Sequence, residues 1–265
     1  MQDAKSKEPI PRLRKSERRE QIVLELRLHP HVRVGDLAER FAVSSETIRR
    51  DFEALARKGL VTRAVGGATA PPHGGSPTLD ERSRERVMQR EQIGRRAAGL
   101  VQPGETLMID SGSTTLQLAR FLSFAGTPCT VITNSLHVAM TLGPSAAARV
   151  VLCPGTYLPT EAAVVGEETI EFVRRFRVQR CIVGASALLP DGAFETVEGY
   201  AAVKRAMLAQ AECRQLVIDS DKFVRSGFSR IGTLDVFDSL VTDRAPDPGF
   251  ASALEVAGVE VLVAD

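Results

Sequence analysis

The chain has 265 residues, 43% of them hydrophobic and 25% charged, which is enough apolar material for two domains, one of them small. No apolar run approaches the length of a membrane span, and the charged first twenty residues lack the apolar stretch of a signal sequence, so the cytoplasm is the expected location. The net charge of +1 hides an asymmetry: residues 1–69 hold 15 Lys and Arg against 10 Asp and Glu, whereas residues 70–265 hold 19 against 23. A basic front on a mildly acidic body suits a small module whose grip on a polyanion rests on phosphate contacts. Cys129, Cys153, Cys181 and Cys213 are spaced 24, 28 and 32 apart, with neither a zinc pattern nor a disulfide framework. They read as small buried residues in a reducing compartment, and no metal or cofactor is expected.

In chain order, residues 1–15 mix charges with Pro9 and Pro11 and show no periodicity, so they read as a disordered lead. From Ser16, the residues Ile22, Val23 and Leu26 mark a first helix ending near His29-Pro30. Val34 to Ala42 supplies a shorter helix with Leu37, Ala38 and Phe41 inward. Ser44 or Ser45 then caps a third helix in which Ile48, Phe52 and Leu55 share a buried face. Glu46, Arg49, Arg50, Glu53 and Arg57 are left on its outer faces. Lys58-Gly59 is a helix stop, and Leu60 to Gly67 has the alternation and terminal glycines of a short two-stranded wing. Helix, turn, helix and wing over residues 16–69 form a DNA-binding pattern.

Residues 70–78, with Pro71, Pro72 and Pro77, read as a linker. One or two helices over Leu79–Leu100 then enter a domain spanning 79–265, where short apolar strands alternate with helices. Strands are expected at Thr106–Asp110, Thr130–Thr133, Arg149–Leu152, Arg180–Gly184, Gln215–Asp219, Ser239–Thr242 and Val259–Val263. Helices are expected at Thr114–Leu122, Ser135–Leu142, Glu167–Arg174, Tyr200–Ala211 and Phe250–Val256. The fold class is therefore α/β: a winged helix-turn-helix domain followed by a larger Rossmann-like domain with a mainly parallel sheet.

Asp110-Ser111-Gly112-Ser113-Thr114-Thr115 lies where the first of these strands meets its helix. A flexible glycine, hydroxyl side chains and the free N–H groups of a helix start suit an anion such as phosphate, although an ordinary strand-to-helix turn has the same composition. Thr133-Asn134, Gly155 and Asp219 to Lys222 place further polar groups at neighbouring strand ends, where such sheets bind ligands.

Two stretches carry a resemblance. V-S-S-E-T-I-R-R-D-F-E-A-L followed by G-L-V-T-R-A-V-G-G-A resembles the N-terminal signature of the DeoR family of bacterial transcription regulators. The I-D-S-G-S-T-T loop, I-T-N-S, K-R-A-M and D-S-D-K resemble that family's sensor domain, and through it the ribose-5-phosphate isomerase fold. The resemblance implies that Ser44, Ser45, Thr47, Arg49 and Arg50 face the major groove of a double-stranded operator and that Arg63 reaches DNA from the wing. It also implies a phosphorylated sugar or related metabolite as effector, with Ser111, Gly112, Ser113, Thr114 and Thr115 around the phosphate. Asp110, Thr133, Asn134, Gly155 and Asp219 would then surround the sugar, with Lys204 and Lys222 supplying positive charge.

Two positions depart from the family pattern. Leu152-Cys153-Pro154-Gly155 stands where adjacent glycines are usual, and Val183-Gly184-Ala185-Ser186-Ala187 lacks the acidic cluster that the isomerases use. Asp191 and Glu195 lie beyond, but Pro190-Asp191-Gly192 reads first as a turn, and His137 reads as an ordinary helix residue. The expected protein is thus a homo-oligomeric repressor of a carbohydrate operon and not an enzyme. The alternative is a sugar-phosphate isomerase carrying a DNA-binding head.

Overall fold

Apolar residues from three helices build the first of two units, residues 1–76. In this computed structural model the described residues are 13–28, 31–57, 61–64, 66–69, 78–223, 225 and 227–264. Helix Lys15–Leu28 contributes Ile22 and Leu26, helix Val34–Arg40 contributes Leu37 and Ala38, and helix Ser45–Ala56 contributes Ile48, Phe52 and Leu55. Burial of each of the larger side chains stabilises the head by about 1.5–3 kcal/mol. Ser44 is the cap, its hydroxyl accepting from the Thr47 N–H at 3.2 Å. Strands Thr62–Ala64 and Gly67–Thr69 pair antiparallel as the wing, and a third strand, His31–Arg33, pairs with the other side of Gly67–Thr69. Three residues are too few to show alternation, so the sequence did not reveal this strand. A side chain at Gly67 would lie 2.1 Å from the Val32 carbonyl oxygen, which explains the glycine. The helix stop at Lys58-Gly59, residues 70–77 of the linker and residues 1–12 of the lead lie outside the described residues, while Lys15 already belongs to the first helix.

Among the described residues of this head, Asp51 is the most deeply buried charged group. Asp51 is 1% exposed, and its two oxygens accept from Arg18 Nε at 2.6 Å and Arg19 Nε at 2.8 Å. The bond joins the first helix to the reading helix from within. It also removes Asp51 from the set of surface partners that Arg49 and Arg50 could use. Asp51→Ala should therefore strand two guanidinium groups and destabilise the head by about 3 kcal/mol. Thermal denaturation of the full chain checks this, and an unchanged melting profile would contradict it.

The second unit, residues 77–265, holds a seven-stranded sheet in which every pairing is parallel. From one edge the order is Glu260–Val263, Ser239–Thr242, Ala211–Val217, Val178–Val183, Glu105–Ile109, Cys129–Thr133 and Ala148–Leu152. The chain lays its first three strands outward from the centre, then returns to build the other side. The direction of winding reverses between Glu105–Ile109 and Val178–Val183. All seven expected strands are present, Ser239–Thr242 with the bounds expected and the other six with shifted ends. The helix expected to reach Ala211 stops at Leu208, and Ala211 opens a strand instead.

Side-chain alternation explains the two-layered core. Leu107, Ile109 and Ile182 join a cluster on one face, and Met108, Cys181 and Val183 join a cluster on the other. Helices Leu79–Arg84 and Val87–Ala98 precede the sheet, separated by Arg86 in a left-handed conformation (φ 47°). The second of them crosses helix Ser113–Ala125 at Gly94, where a Cβ would lie 2.7 Å from the Leu118 backbone nitrogen. A small antiparallel sheet of Ala187–Leu189, Gly192–Glu195 and Ser229–Gly232, and a hairpin of Thr156–Leu158 with Ala163–Val165, complete the unit. Both were missed in the sequence because their strands have only three or four residues.

Candidate functional site

Two sites emerge, one in each unit. On the head, Arg49 and Arg50 project outward with side chains 59% and 75% exposed. Both approach Glu46, at 4.0 and 3.2 Å, and Arg63 of the wing lies 3.5 Å from Glu53. Ser45 is exposed beside them, and the Ser44 and Thr47 hydroxyls share a hydrogen bond of 2.9 Å. Exposed pairs of this kind contribute about 0–1 kcal/mol, so a nucleic-acid phosphate or base edge can replace them at little cost. The same helix that buries Ile48, Phe52 and Leu55 thus presents a cationic face.

The second site lies at the carboxyl ends of the central strands, where the winding reverses and where open parallel sheets leave a crevice. A cleft there is lined by Ser111 to Thr115 on one side, Gly184, Ala185 and Ser186 on another, and Arg82, Glu161, Glu195, Tyr200, Lys204 and Lys222 around them. It is narrow and partly open, with a cavity volume of about 30 Å³.

Lys204 forms the floor of this cleft. Its ammonium is 2.7 Å from Asp110 Oδ2 and 2.5 Å from Glu195 Oε1, and it donates to the Gly184 carbonyl oxygen at 2.8 Å. Asp110 Oδ2 also accepts from the Gly184 N–H at 3.1 Å, and Ser186 Oγ donates to Glu195 at 2.5 Å. Burial alone would discharge Lys204, but the two carboxylates outweigh it and hold the amine above its ordinary range. Burial likewise works to raise Glu195, and Lys204 with Ser186 overcomes it, so this carboxylate is lowered. At Asp110 burial prevails over Lys204, and that carboxyl is raised.

The arrangement corrects the expectation that Lys204 supplies positive charge to a ligand: Asp110 and Glu195 neutralise it. It also corrects the reading that no carboxylate is positioned beyond Gly184-Ala185-Ser186, because Glu195 enters the cleft from a strand of the small sheet. Asp191, as expected, stays in an exposed turn, paired with Arg230 at 2.9 Å.

Lys222 differs from Lys204. No carboxylate contacts its amine among the described residues, and it donates to the Ala185 carbonyl oxygen at 2.8 Å. Burial, with Arg90 and Arg82 nearby, outweighs the attraction of Asp219 and Glu195 and lowers it to about 8.

Of the other expected ligand groups, Ser111, Gly112, Ser113, Thr114 and Thr115 line the cleft. The Ser111 hydroxyl donates to the Glu161 carbonyl oxygen at 2.9 Å, and the Thr115 hydroxyl donates to its own turn at Asp110 and Gly112. Thr133, Asn134, Gly155 and Asp219 do not line it, and neither does Asp110, which is fully buried against Lys204. Thr133 Oγ1 accepts from Ser135, Asn134 Nδ2 donates to the Val164 carbonyl oxygen, and Gly155 packs on Thr169 and Val165 at φ 143°. Asp219 pairs with Arg86 at 3.2 Å and Arg90 at 3.5 Å. These four close the turns around the cleft and make internal contacts.

Arg82, Glu161, Glu195 and Tyr200 were missed as cleft residues, since each arrives from a distant segment with no local motif. Arg82 binds Glu161 through both guanidinium nitrogens, at 3.0 and 2.5 Å. Cys153 is buried and pushed up to about 12 by burial, which makes it a packing residue. No helix among the described residues is long and apolar enough to cross a membrane.

A winged helix-turn-helix head joined to a parallel-sheet domain with a polar cleft at its switch point defines a class, the DNA-binding transcription regulators that carry a sensor domain. Within that class the chain belongs to the DeoR family: residues 18–73 match the DeoR-like helix-turn-helix domain and residues 85–244 match the DeoR C terminal sensor domain. It is 30% identical over 235 residues to the glycerol-3-phosphate regulon repressor of Escherichia coli (strain K12), covering 88% of this chain and 93% of that protein. It is 28% identical over 241 residues to the HTH-type transcriptional repressor GlcR of Bacillus subtilis (strain 168), covering 91% of this chain and 93% of that one. Among solved structures, ribose 5 phosphate isomerase A from Neisseria gonorrhoeae overlaps 51% of this chain and 52% of its own, with 16% identity and a TM-score of 0.39.

The Lys222 amine yields a test with a definite sign. Below about pH 8 the folded protein carries a charge that its surroundings disfavour, and this cost fades as pH rises toward lysine's ordinary value of about 10.4. Lys222→Met should therefore raise the thermal midpoint at pH 7, with the gain vanishing near pH 10.5. Melting curves across that interval check it, and a gain that grows with pH would contradict it.

Proposed function

We propose that this regulator is a repressor of a carbohydrate operon that loosens its hold on double-stranded DNA when a phosphorylated sugar or related metabolite occupies the cleft. One observation carries the reading. The free N–H groups of helix Ser113–Ala125, the hydroxyls of Ser113 and Thr114 and the Lys222 amine converge where the sheet's winding reverses. A helix start with an adjacent cation favours a phosphate dianion. Lys222 is the ligand-facing charge in this scheme, and Glu195, which lines the same cleft, offers an acceptor to a sugar hydroxyl. Both relatives are named as repressors, and one is named for the glycerol-3-phosphate regulon.

Binding without turnover follows from how Glu195 is held. Proton transfer needs a carboxylate free to reach a carbon-bound hydrogen. Here Lys204 and Ser186 both occupy it, at 2.5 Å each. The isomerase alternative therefore predicts conversion of pentose or hexose phosphates, and this reading predicts none.

Control requires two states with different ligand affinity. The cleft is narrow and partly open, so a ligand that fits one arrangement of its walls better than another shifts the balance between them. A single reading helix covers a short half-site, which favours a homo-oligomer on a two-fold operator. Function on DNA places the protein in the cytoplasm.

Fluorescence anisotropy on DNA from the protein's own control region, with and without a panel of phosphorylated sugars, tests the division of labour. Arg50→Ala should weaken operator binding by about 1–3 kcal/mol and leave the metabolite response intact. Thr114→Ala should do the reverse, shifting the effective metabolite concentration upward by about tenfold at unchanged DNA affinity. Loss of DNA binding in the Thr114 variant, or turnover of a sugar phosphate by the wild type, would overturn the proposal.

A further inference from the structure

We propose that the Tyr200 hydroxyl is a ligand-binding group of the cleft, donating a hydrogen bond to an oxygen of the phosphorylated ligand. The inference rests on the effector reading above and adds a residue that no motif indicated. Tyr200 is one of two tyrosines in the chain and is 3% exposed. Its ring lines the cleft, yet its hydroxyl has no hydrogen-bond partner among the described residues. A buried polar group normally finds a partner, and an orphan facing a cleft points to a partner that arrives.

The surroundings fix what that partner is. Burial, together with the carboxylates of Glu161, Asp110 and Glu195, keeps the phenol protonated at any physiological pH, so the group has a proton to donate. Ser111 approaches it but directs its own hydroxyl to the Glu161 carbonyl oxygen. The N–H groups at the start of helix Ser113–Ala125, in the same lining, are also donors, while the carboxylates of Glu161 and Glu195 are held by Arg82, Lys204 and Ser186. Converging donors are complemented by an oxygen-rich anion.

The ring is held in place. Lys204, one turn along the same helix, sets its ammonium 5.3 Å from the Tyr200 ring centroid, and that ammonium is itself fixed by Asp110 and Glu195. The ring, and with it the hydroxyl, is therefore held at the cleft before a ligand arrives, as a specificity-determining group should be.

Tyr200→Phe removes the hydroxyl and keeps the ring, and it separates a ligand-binding role from a packing role by sign. Full-length wild type and variant are compared by thermal denaturation without ligand, then by calorimetric titration with glycerol 3-phosphate, glucose 6-phosphate and fructose 6-phosphate. The expected result is a ligand-free midpoint equal to or above wild type, with affinity for the ester that binds wild type reduced tenfold or more. Equal affinity in the two proteins would overturn this inference alone, leaving the effector reading standing. So would a lowered ligand-free midpoint, which would make the hydroxyl structural. Binding of none of the three esters to wild type would overturn the effector reading for these ligands, and this inference with it.

Discussion

A single buried ammonium, that of Lys204, determines the shape of the sensor cleft. It brings together the end of the first sheet strand at Asp110, the end of the strand beside it at Gly184, and the small sheet at Glu195. Removing three charged groups from water is costly unless their geometry satisfies them, and two carboxylates around one ammonium with backbone partners do so. The cluster keeps its charge to itself, so the cleft's outward electrostatics fall to Lys222 and the helix start. Register between the two sheets follows from the same contact, since no other strand of the small sheet carries a carboxylate into this position.

The segment that follows the linker is tied to the same strand ends by arginines. Arg82 grips Glu161 of the cleft wall, and Arg86 meets Asp219, Asp221 and Asp243. Arg90 reaches Asp219 and donates to the backbone carbonyls of Arg82 and Glu85. Gly94 lets helix Val87–Ala98 press against helix Ser113–Ala125, whose N-terminus faces the cleft. Any movement of the cleft walls would move groups to which these helices are bonded. Buried, well-packed contacts of this kind shift between discrete arrangements more readily than they stretch.

Much of this was legible in the sequence. Seven apolar runs gave the seven sheet strands, and spacing of Ile48, Phe52 and Leu55 gave the buried side of the reading helix. The 110–115 loop was legible because its chemistry is contiguous. The rest of the cleft was not, because Arg82, Glu161, Glu195 and Tyr200 are joined only by the fold. Burial was the other blind spot. Lys204 and Lys222 read alike as sources of positive charge for a ligand, but one lies between two carboxylates and the other against a carbonyl oxygen. Nothing in the charged run around Asp51 marks it for burial, which comes from the distant Arg18 and Arg19.

Burial also sorts the ionic contacts by what they can do. The pairs of Arg49 and Arg50 with Glu46, and of Arg63 with Glu53, lie in water and are screened by salt. They exchange readily, which leaves those arginines available to phosphates whose displaced counterions drive association. The contacts of Asp51 in the head and of Lys204 in the sensor domain are enclosed, and salt screens them far less. Raising ionic strength therefore weakens these exposed pairs while leaving the two buried clusters nearly unchanged. Sensitivity to salt belongs to recognition in this protein, and the arrangement of the recognising groups is set elsewhere, by charges that water does not reach.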